Sequence, residues 1–560
     1  MAGAARGGLV RSSGAGWQRW MAVALVGIGV TRIVATYSAL SETVDEVAHV
    51  GAGLEWLGRG RYTFELQHPP LARVAAALGP YLRGVRSQGQ TNMWDEGRRA
   101  LYAGAGYERN LTAARLAMLP FFMLAAFFVW RIGEVAFGTG TALGAVACFT
   151  LLPPVLAHFG VATTDAPMLA VFAASLYALM RWLDEPNVAR ALGLGVAAGV
   201  GLVTKFSFVP YFAVAAVALF VARYLWGRRR ARASKPSESI GETVPSTAPW
   251  SWGDGLPTLA VAAAGGLIVA WAAYRFSFGD WRGVPLPLAQ VPLGILEISE
   301  HNQLGHPAYF LGQSRALGVW YFFPVILVLK TPIAALTLGV LGFLVLSRAA
   351  FAARDWHYLI PVTIAIVVLG VAIPARINIG VRHVLPFYVG LALAAGYAWV
   401  WLWARVRRSI ARTLLVAVTL LLSIDTVTAH PDYLAYFNGF AGRDPSRLVA
   451  DSDLDWGQDL FRLRRAVKER GVDTLRFAYI NNGDLAPIVG VPVEFWDGTG
   501  RPSGWVAVSE TWYRRGEISH RGGAYIIRAR AYAWLDSAAT FTRVGKGIRL
   551  YRLPSESPKQ

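Results

Sequence analysis

Long apolar runs recur along this chain, and they restrict its fold more than any other feature. The runs are about 17 to 25 residues long, roughly the length that a helix needs to cross a bilayer. Of the 560 residues, 54% are hydrophobic and 16% are charged, which is too few charges to cover a soluble protein of this size. The pattern predicts a mostly α-helical, polytopic membrane bundle of about 11 spans, at residues 20–38, 112–130, 141–160, 166–182, 189–206, 208–226, 256–275, 330–347, 357–374, 384–404 and 411–428.

The first apolar run could be read as a signal peptide, because Arg6, Arg11 and Arg19 precede it. No small-x-small cleavage motif precedes the acidic residues that follow the run, and the run is long for the apolar part of a signal. We therefore expect a retained span. Cys148, the one cysteine of the chain, lies in another apolar run, which excludes an internal disulfide and any multi-cysteine metal site.

The basic residues indicate the orientation of the chain in the membrane. Although the net charge is +19, many arginines stand at the ends of apolar runs, so we read them as topology determinants and expect no nucleic-acid binding. Short loops rich in Lys and Arg stay in the cytoplasm. We therefore predict a multi-pass inner-membrane protein with a cytoplasmic N-terminus and an external C-terminus, because the even-numbered runs are followed by Arg131, Arg181, Arg223, Arg348 and Arg405.

The polar segments suggest two domains. A transmembrane domain, residues 1–429, would include two long outer loops at 39–111 and 276–329 and a Ser- and Pro-rich cytoplasmic linker at 227–255. Residues 430–560 mix short β-rich runs with helical stretches and predict a small extracytoplasmic α/β domain, which we call the tail.

With the arginines at the inner ends of the spans, carboxylates and cations that could serve a site gather on the outer face. Charged groups at a membrane are costly and call for a partner or a function. Single residues also have ordinary explanations, since Lys205 and Lys330 could snorkel and Asp45 could cap a helix. A shared outer-face site accounts better for the whole set, which comprises Asp45, Glu46, His49, His158, Asp165, Lys205, Lys330, Arg376, Arg382 and His383.

Several motifs resemble bacterial GT-C superfamily glycosyltransferases, nearest to the protein O-mannosyltransferase and aminoarabinose-transferase-like branch. They occur in order along most of the chain: "DEVAHVGAGLEWLGRGRYTFELQHPPLAR", "ATTDAPML", "GLVTKFS", "YFFPVILVLKTP", "NIGVRHVLPF" and "HPDYLAYFN…DSDLDWGQDL". The resemblance implies transfer of a sugar from a polyprenyl-phosphate donor, outside the membrane, to a lipid, glycan or protein acceptor.

The resemblance also implies roles for individual residues. The acidic pair of the first outer loop maps to Asp45, as general base, and Glu46, and a later acidic residue maps to Asp165. The matching candidates for the donor phosphate are Lys205, Arg382 and His383.

The substrate-binding candidates also include His49 and two residues that follow it in the first outer loop. This chain departs from the family there, because His68 precedes the proline pair where relatives often carry lysine, with Arg73 shortly after. A neutral histidine holds phosphate less well than lysine, so the same substrate does not follow.

The motif residues do not decide whether the protein binds a metal ion. Asp45, His49 and Asp165 include ligand types for a divalent ion, but their spacing does not require one, so we assign neither a metal nor a cofactor. "DSDLDWGQD" departs from a calcium loop at its sixth position, Trp456, and we expect Asp453 or Asp455 to cap a helix that begins near Gly457.

Two other functions compete with glycosyl transfer. A transporter or flippase of a lipid-linked saccharide would place charges near the midplane and show repeats, and the charges here gather at one face instead. A receptor or assembly factor would use the tail but would leave the polar residues of the outer face unexplained.

Overall fold

A computed structural model describes residues 15–104, 106–233, 252–406, 409–479, 483–521 and 524–554. Most of the predicted linker lies outside the described residues, and helix α11 continues to Ala233, so any linker begins later than residue 227.

Every predicted apolar run is helical. The helices that contain these runs are α1 (Ala15–Ala35), α5 (Tyr107–Leu116), α6 (Leu119–Phe137), α7 (Thr139–Thr150), α8 (Pro153–Phe159), α9 (Asp165–Asp184), α10 (Val188–Leu202), α11 (Phe208–Ala233), α12 (Trp252–Ala273), α15 (Ile333–Ala353), α16 (Ile360–Ala372), α17 (Phe387–Arg405) and α18 (Ser409–Thr428). The predicted class, a mostly helical membrane bundle with a small sheet near the C-terminus, is confirmed.

The number of spans stays a prediction. Among the described residues, seven helices are long and apolar enough to cross a membrane, or eight if one bent pair counts as a span. That pair is α7 and α8, which meet at 67° where we predicted a single straight span over 141–160. The bend falls at Pro153 and Pro154, whose rings remove backbone donors and restrict the preceding residue.

The two predicted outer loops are folded segments. The first contains α2 (Val44–Arg59), α3 (Pro70–Leu82) and α4 (Met93–Tyr102), and the second contains α13 (Gln290–Leu304) and α14 (Phe322–Lys330). The second also carries two hairpins, β1 (Phe278–Trp281) with β2 (Val284–Pro287) and β3 (Ala308–Phe310) with β4 (Gln313–Arg315).

The described part of the tail is a five-stranded sheet with short helices. The strand order is β10-β11-β7-β5-β6, and β5 runs parallel to both of its neighbours, whereas β11 is antiparallel to β7 and β10. Strands β8 and β9 form a separate antiparallel hairpin. The elements are α19 (Leu460–Glu469), β5 (Leu475–Ala478), α20 (Ala486–Val489), β6 (Val493–Phe495), β7 (Gly504–Ser509), α21 (Glu510–Arg515), β8 (Glu517–Arg521), β9 (Ala524–Arg528), α22 (Leu535–Ala538), β10 (Phe541–Val544) and β11 (Ile548–Leu553). The domain boundary near residue 430 stays a prediction.

Glycines allow the central helices to pack closely. In α15, a Cβ atom on Gly342 would lie 2.0 Å from the carbonyl oxygen of Ala394 in α17, so the two backbones are in contact. Small residues are the usual means of bringing membrane helices this near to each other. In contrast, Gly193 of α10 has nothing within 4 Å of its Cβ position.

Matched alanine substitutions test this packing. We expect Gly342→Ala to lower the free energy of unfolding by about 1 to 3 kcal/mol, because the new methyl group meets backbone that cannot yield easily. Gly193→Ala, at an open helical position, should be neutral or stabilising. Thermal unfolding of the purified proteins in detergent compares the two, and equal melting temperatures would contradict the close approach of α15 and α17.

Candidate active site

A cavity of about 810 Å³ lies at the end of the bundle where α9, α11 and α17 begin and α10 ends. Helix α2 and α13, from the two outer segments, and part of the tail also contribute to its wall. Its polar lining includes eight of the nine residues selected from the sequence, namely Asp45, His49, His68, Arg73, Asp165, Lys205, Arg382 and His383. The structure thus brings these distant residues to one site.

Two carboxylates and two cations form the centre of the cavity. Arg382 Nη1 donates to Asp45 Oδ2 over 2.5 Å and lies 3.8 Å from Asp165 Oδ2. Lys205 Nζ donates to Asp165 Oδ1. The Asp45 side chain is 33% exposed, whereas that of Asp165 is 1% exposed. Asp45 can therefore reach a substrate in the cavity, and Asp165 is enclosed by the two cations.

Glu46 lies outside this cavity lining and has a structural position. Its carboxylate forms a buried ion pair with Arg115, with Nε to Oε1 and Nη2 to Oε2 distances of 2.7 Å. It also accepts the backbone N–H groups of Thr43 and Ala162, over 2.8 Å each. Thr43 and Glu46 form the capping box that begins α2. These contacts favour a structural role for Glu46, and its grouping with the candidate catalytic residues stays a prediction.

A second network surrounds Arg73 within the first outer segment. Arg73 Nη2 donates to Glu65 Oε1, and His68 Nδ1 lies 2.7 Å from the same oxygen. Although burial opposes ionisation, His68 and Arg73 hold the pKa of the Glu65 carboxyl well below its usual range. Arg73 is 1% exposed and already paired, so it is better placed to fix His68 and His49 than to clamp a phosphate.

Two of the histidines that line the cavity, His49 and His383, lie in surroundings that favour the neutral ring. Burial, and next the charge of Arg73, hold the pKa of His49 well below its usual range. Because His49 Nδ1 accepts from Arg73 Nε over 3.1 Å, the neutral ring carries its proton on Nε2. Burial, followed by Lys205 and Arg382, also lowers the pKa of His383. His383 can therefore donate or accept a hydrogen bond but does not add a third positive charge.

Sequence reasoning missed the part that the tail plays in this site. Trp456 lines the cavity, and its ring faces the Arg382 guanidinium, with the carbon Cζ 4.2 Å from the ring centroid. The predicted helix cap near Gly457 is wrong, because α19 begins at Leu460 and its N-terminal flanking residue is Asp459. Asp453 instead accepts the Val381 N–H over 3.0 Å, and Asp455 accepts the Thr511 N–H over 3.1 Å.

Lys330 and one of the aromatic residues before it, Phe323, are also buried. Lys330 is 1% exposed and donates to the carbonyl oxygens of Leu434 and Asp453 over 2.6 and 2.7 Å, so it does not snorkel. Trp320 is exposed, as in an interfacial belt, whereas Phe323 is buried and lines the cavity. The residues of this segment therefore differ in position, with Trp320 at the surface and Phe323 in the wall of the cavity.

A metal ion finds no ready set of ligands here. Across the described ranges of the chain, no group of three or more His, Cys, Asp or Glu side chains is arranged to hold one. In the cavity, both Asp45 and Asp165 are instead paired with basic side chains.

The comparisons with known proteins agree with this geometry. Residues 107–241, about a quarter of the chain, match the family of dolichyl-phosphate-mannose-protein mannosyltransferases. No curated protein matches the chain in sequence. Its fold is similar to that of ArnT from Cupriavidus metallidurans bound to undecaprenyl phosphate, with a TM-score of 0.50, 14% identity, and coverage of 96% of this chain and 98% of that chain.

A second solved structure is less similar. The oligosaccharyltransferase of Archaeoglobus fulgidus, tethered with an acceptor peptide, aligns with a TM-score of 0.43 and 12% identity, over 75% of this chain and 54% of that chain. The family match over residues 107–241 and the fold shared with ArnT support the class that the motifs indicate, a membrane glycosyltransferase of the GT-C superfamily.

The ion pair of Glu46 provides a stability test. Glu46→Gln leaves Arg115 buried beside a neutral partner, and we expect the free energy of unfolding to fall by about 3 to 5 kcal/mol. Asp45→Asn is the matched control, because Asp45 is partly exposed and Arg382 keeps Asp165 nearby. Thermal unfolding in detergent measures both, and a Glu46→Gln protein as stable as the control would contradict the structural position of Glu46.

Proposed function

We propose that this glycosyltransferase moves a sugar from a polyprenyl-phosphate donor to an acceptor hydroxyl at the outer face of the inner membrane. The observation that carries the proposal is the arrangement of a partly exposed carboxylate, Asp45, beside two buried cations, Arg382 and Lys205, in one cavity. A lipid-linked donor is supported by the fold shared with ArnT, whose structure holds undecaprenyl phosphate.

In the proposed reaction, Asp45 is the general base. Its Oδ2 accepts from Arg382, and among the described residues Oδ1 has no hydrogen-bond donor, so it can accept the proton of the acceptor hydroxyl. The hydroxyl oxygen bonds to the anomeric carbon as the bond from that carbon to the phosphate oxygen breaks. The leaving phosphate takes the electron pair, and a single displacement of this kind needs no covalent intermediate.

Arg382 and Lys205 would stabilise the leaving phosphate. Arg382 stays charged, and its planar fork can hold two phosphate oxygens. Its Nε atom is buried and has no hydrogen-bond partner in the part of the chain that the structure describes. The Nε–H group is therefore a donor that no protein acceptor occupies. In this scheme Asp165 acts through Lys205 and Arg382, which it holds in place, and His49 and His383 offer neutral hydrogen-bond groups to the sugar.

The class of acceptor and the orientation of the chain in the membrane are parts of the same proposal. The acceptor would be a lipid, a glycan or a protein, and it would enter from the side of the cavity lined by α13 and the tail. The arginines at the other ends of the helices support a cytoplasmic N-terminus and an external tail.

Donor consumption by purified protein in liposomes tests the function. With a panel of polyprenyl-phosphate sugars, wild type should consume one donor, and Asp45→Asn and Asp45→Ala should lower the rate about 10² to 10⁴-fold because the base is lost. Asp473→Asn, the same change at an exposed position of the tail, should leave the rate unchanged. Robust turnover by both Asp45 variants would remove Asp45 from the role of base.

Single introduced cysteines test the orientation. The native Cys148 is buried, so labelling will report the new thiol. Intact cells treated with a membrane-impermeant maleimide should label Asp473→Cys, whereas Arg348→Cys should react only after permeabilisation; both side chains are exposed. Labelling of Arg348→Cys in intact cells would reverse the proposed orientation.

A further inference from the structure

Residues 451–460 of the tail, which we call the acidic segment, lie against the candidate site rather than apart from it. Trp456 is 2% exposed, and its ring covers one face of the Arg382 guanidinium. His158 contacts the same indole ring edge to face, with centroids 6.3 Å apart. Arg382 is therefore bounded by an aromatic face on one side and by the two carboxylates at its Nη1 end.

The acidic segment also holds the backbone beside Arg382. Asp453 accepts the Val381 N–H, and Ser452 Oγ donates to the carbonyl oxygen of Ile379. Lys330 Nζ donates to the carbonyl oxygen of Asp453. Two contacts thus hold the backbone next to Arg382, and the contact with Lys330 holds the acidic segment itself.

The same segment binds the start of α2, the helix that carries Asp45. The Val44 N–H donates to the carbonyl oxygen of Trp456 over 3.1 Å. Next to it, the Ser41 N–H donates to the Gln458 carbonyl oxygen over 3.0 Å, and Ser41 Oγ donates to the Gly457 carbonyl oxygen over 3.1 Å. Trp456 therefore contacts Arg382 through its ring and the Asp45 helix through its backbone.

The rest of the tail anchors the acidic segment. Thr511, in α21, donates its N–H to Asp455 Oδ2 over 3.1 Å and its hydroxyl to the Asp455 carbonyl oxygen over 2.9 Å. Arg515, in the same helix, pairs with Asp451 over 3.0 Å. The position of Trp456 is therefore set from the tail side as well as from the bundle.

We propose that Trp456 is a positioning residue that orients the Arg382 guanidinium for the donor phosphate and links it to the helix of Asp45. This inference rests on the proposed function. The ring face attracts the guanidinium and covers it from water, so the remaining N–H groups stay in the plane that faces the cavity. An aliphatic side chain would fill the space without fixing that plane.

Binding of the leaving product tests the inference without requiring turnover. Affinity for a polyprenyl phosphate, and for the polyprenol of the same length, would be measured with the purified full-length protein in nanodiscs. Trp456→Leu should weaken binding of the phosphate lipid about tenfold and leave polyprenol binding unchanged, because the stack acts on the group that holds phosphate. Trp456→Phe, which keeps an aromatic face, should restore most of the affinity.

A matched control separates the stack from general effects of losing a tryptophan. Trp505 in β7 stacks with Arg552 at 5.6 Å, away from the cavity, so Trp505→Leu should bind the phosphate lipid as wild type does. If Trp456→Leu does not fold, Trp456→Met, which is apolar and adapts more readily to its surroundings, replaces it.

The outcomes distinguish the two proposals. Equal affinity of wild type and the Leu or Met variant for the phosphate lipid, or an equal loss for polyprenol, would overturn the role of Trp456 and leave the proposed function standing. If wild type binds polyprenyl phosphate no better than polyprenol, the proposed function fails and the positioning role falls with it.

Discussion

Charge compensation at the edge of the membrane is the constraint on which the rest of the site depends. Arg382, Lys205 and Asp165 are each buried, and a buried charge that loses its partner costs several kcal/mol. Asp165 meets both cations, and Arg382 reaches a second carboxylate, Asp45. The helix ends that carry these residues are therefore joined by ion pairs in the wall of the cavity.

The same compensation links binding to chemistry in the proposed reaction. In the structure, Asp45 is paired with Arg382. A donor phosphate that takes up the guanidinium would weaken this pairing, so Asp45 would become a better proton acceptor when the donor is in place. Asp165 is enclosed and would keep both cations at the site during this exchange. One carboxylate is thus suited to change its partner and the other to hold the cations in place.

The sequence predicts where the site lies better than it predicts which of the residues there serve the chemistry and which are structural. Arginines at one end of the spans mark that end as cytoplasmic, so the opposite ends share the outer face. This rule places Asp45 and Arg382, which are 337 residues apart, on the same face. It cannot separate Asp45 from Glu46, because neighbours share a helix end. The spacing of Thr43 and Glu46 is the capping-box pattern and could have identified Glu46 as structural. The stack of Trp456 on Arg382 leaves no such local signal, since it arises only when the tail meets the bundle.

The way in which the tail meets the bundle bears on the predicted domain boundary. A separate module would contact the membrane helices through its surface, but here the acidic segment runs between the start of α2 and the residues before α17. The buried ammonium group of Lys330 donates to two carbonyl oxygens of the tail, those of Leu434 and Asp453. Without the tail, Lys330 would lose both acceptors and Arg382 its aromatic face, so the bundle alone would hold uncompensated polar groups at its cavity. The tail therefore completes the wall of the cavity together with the bundle, and the domain boundary near residue 430 stays a prediction.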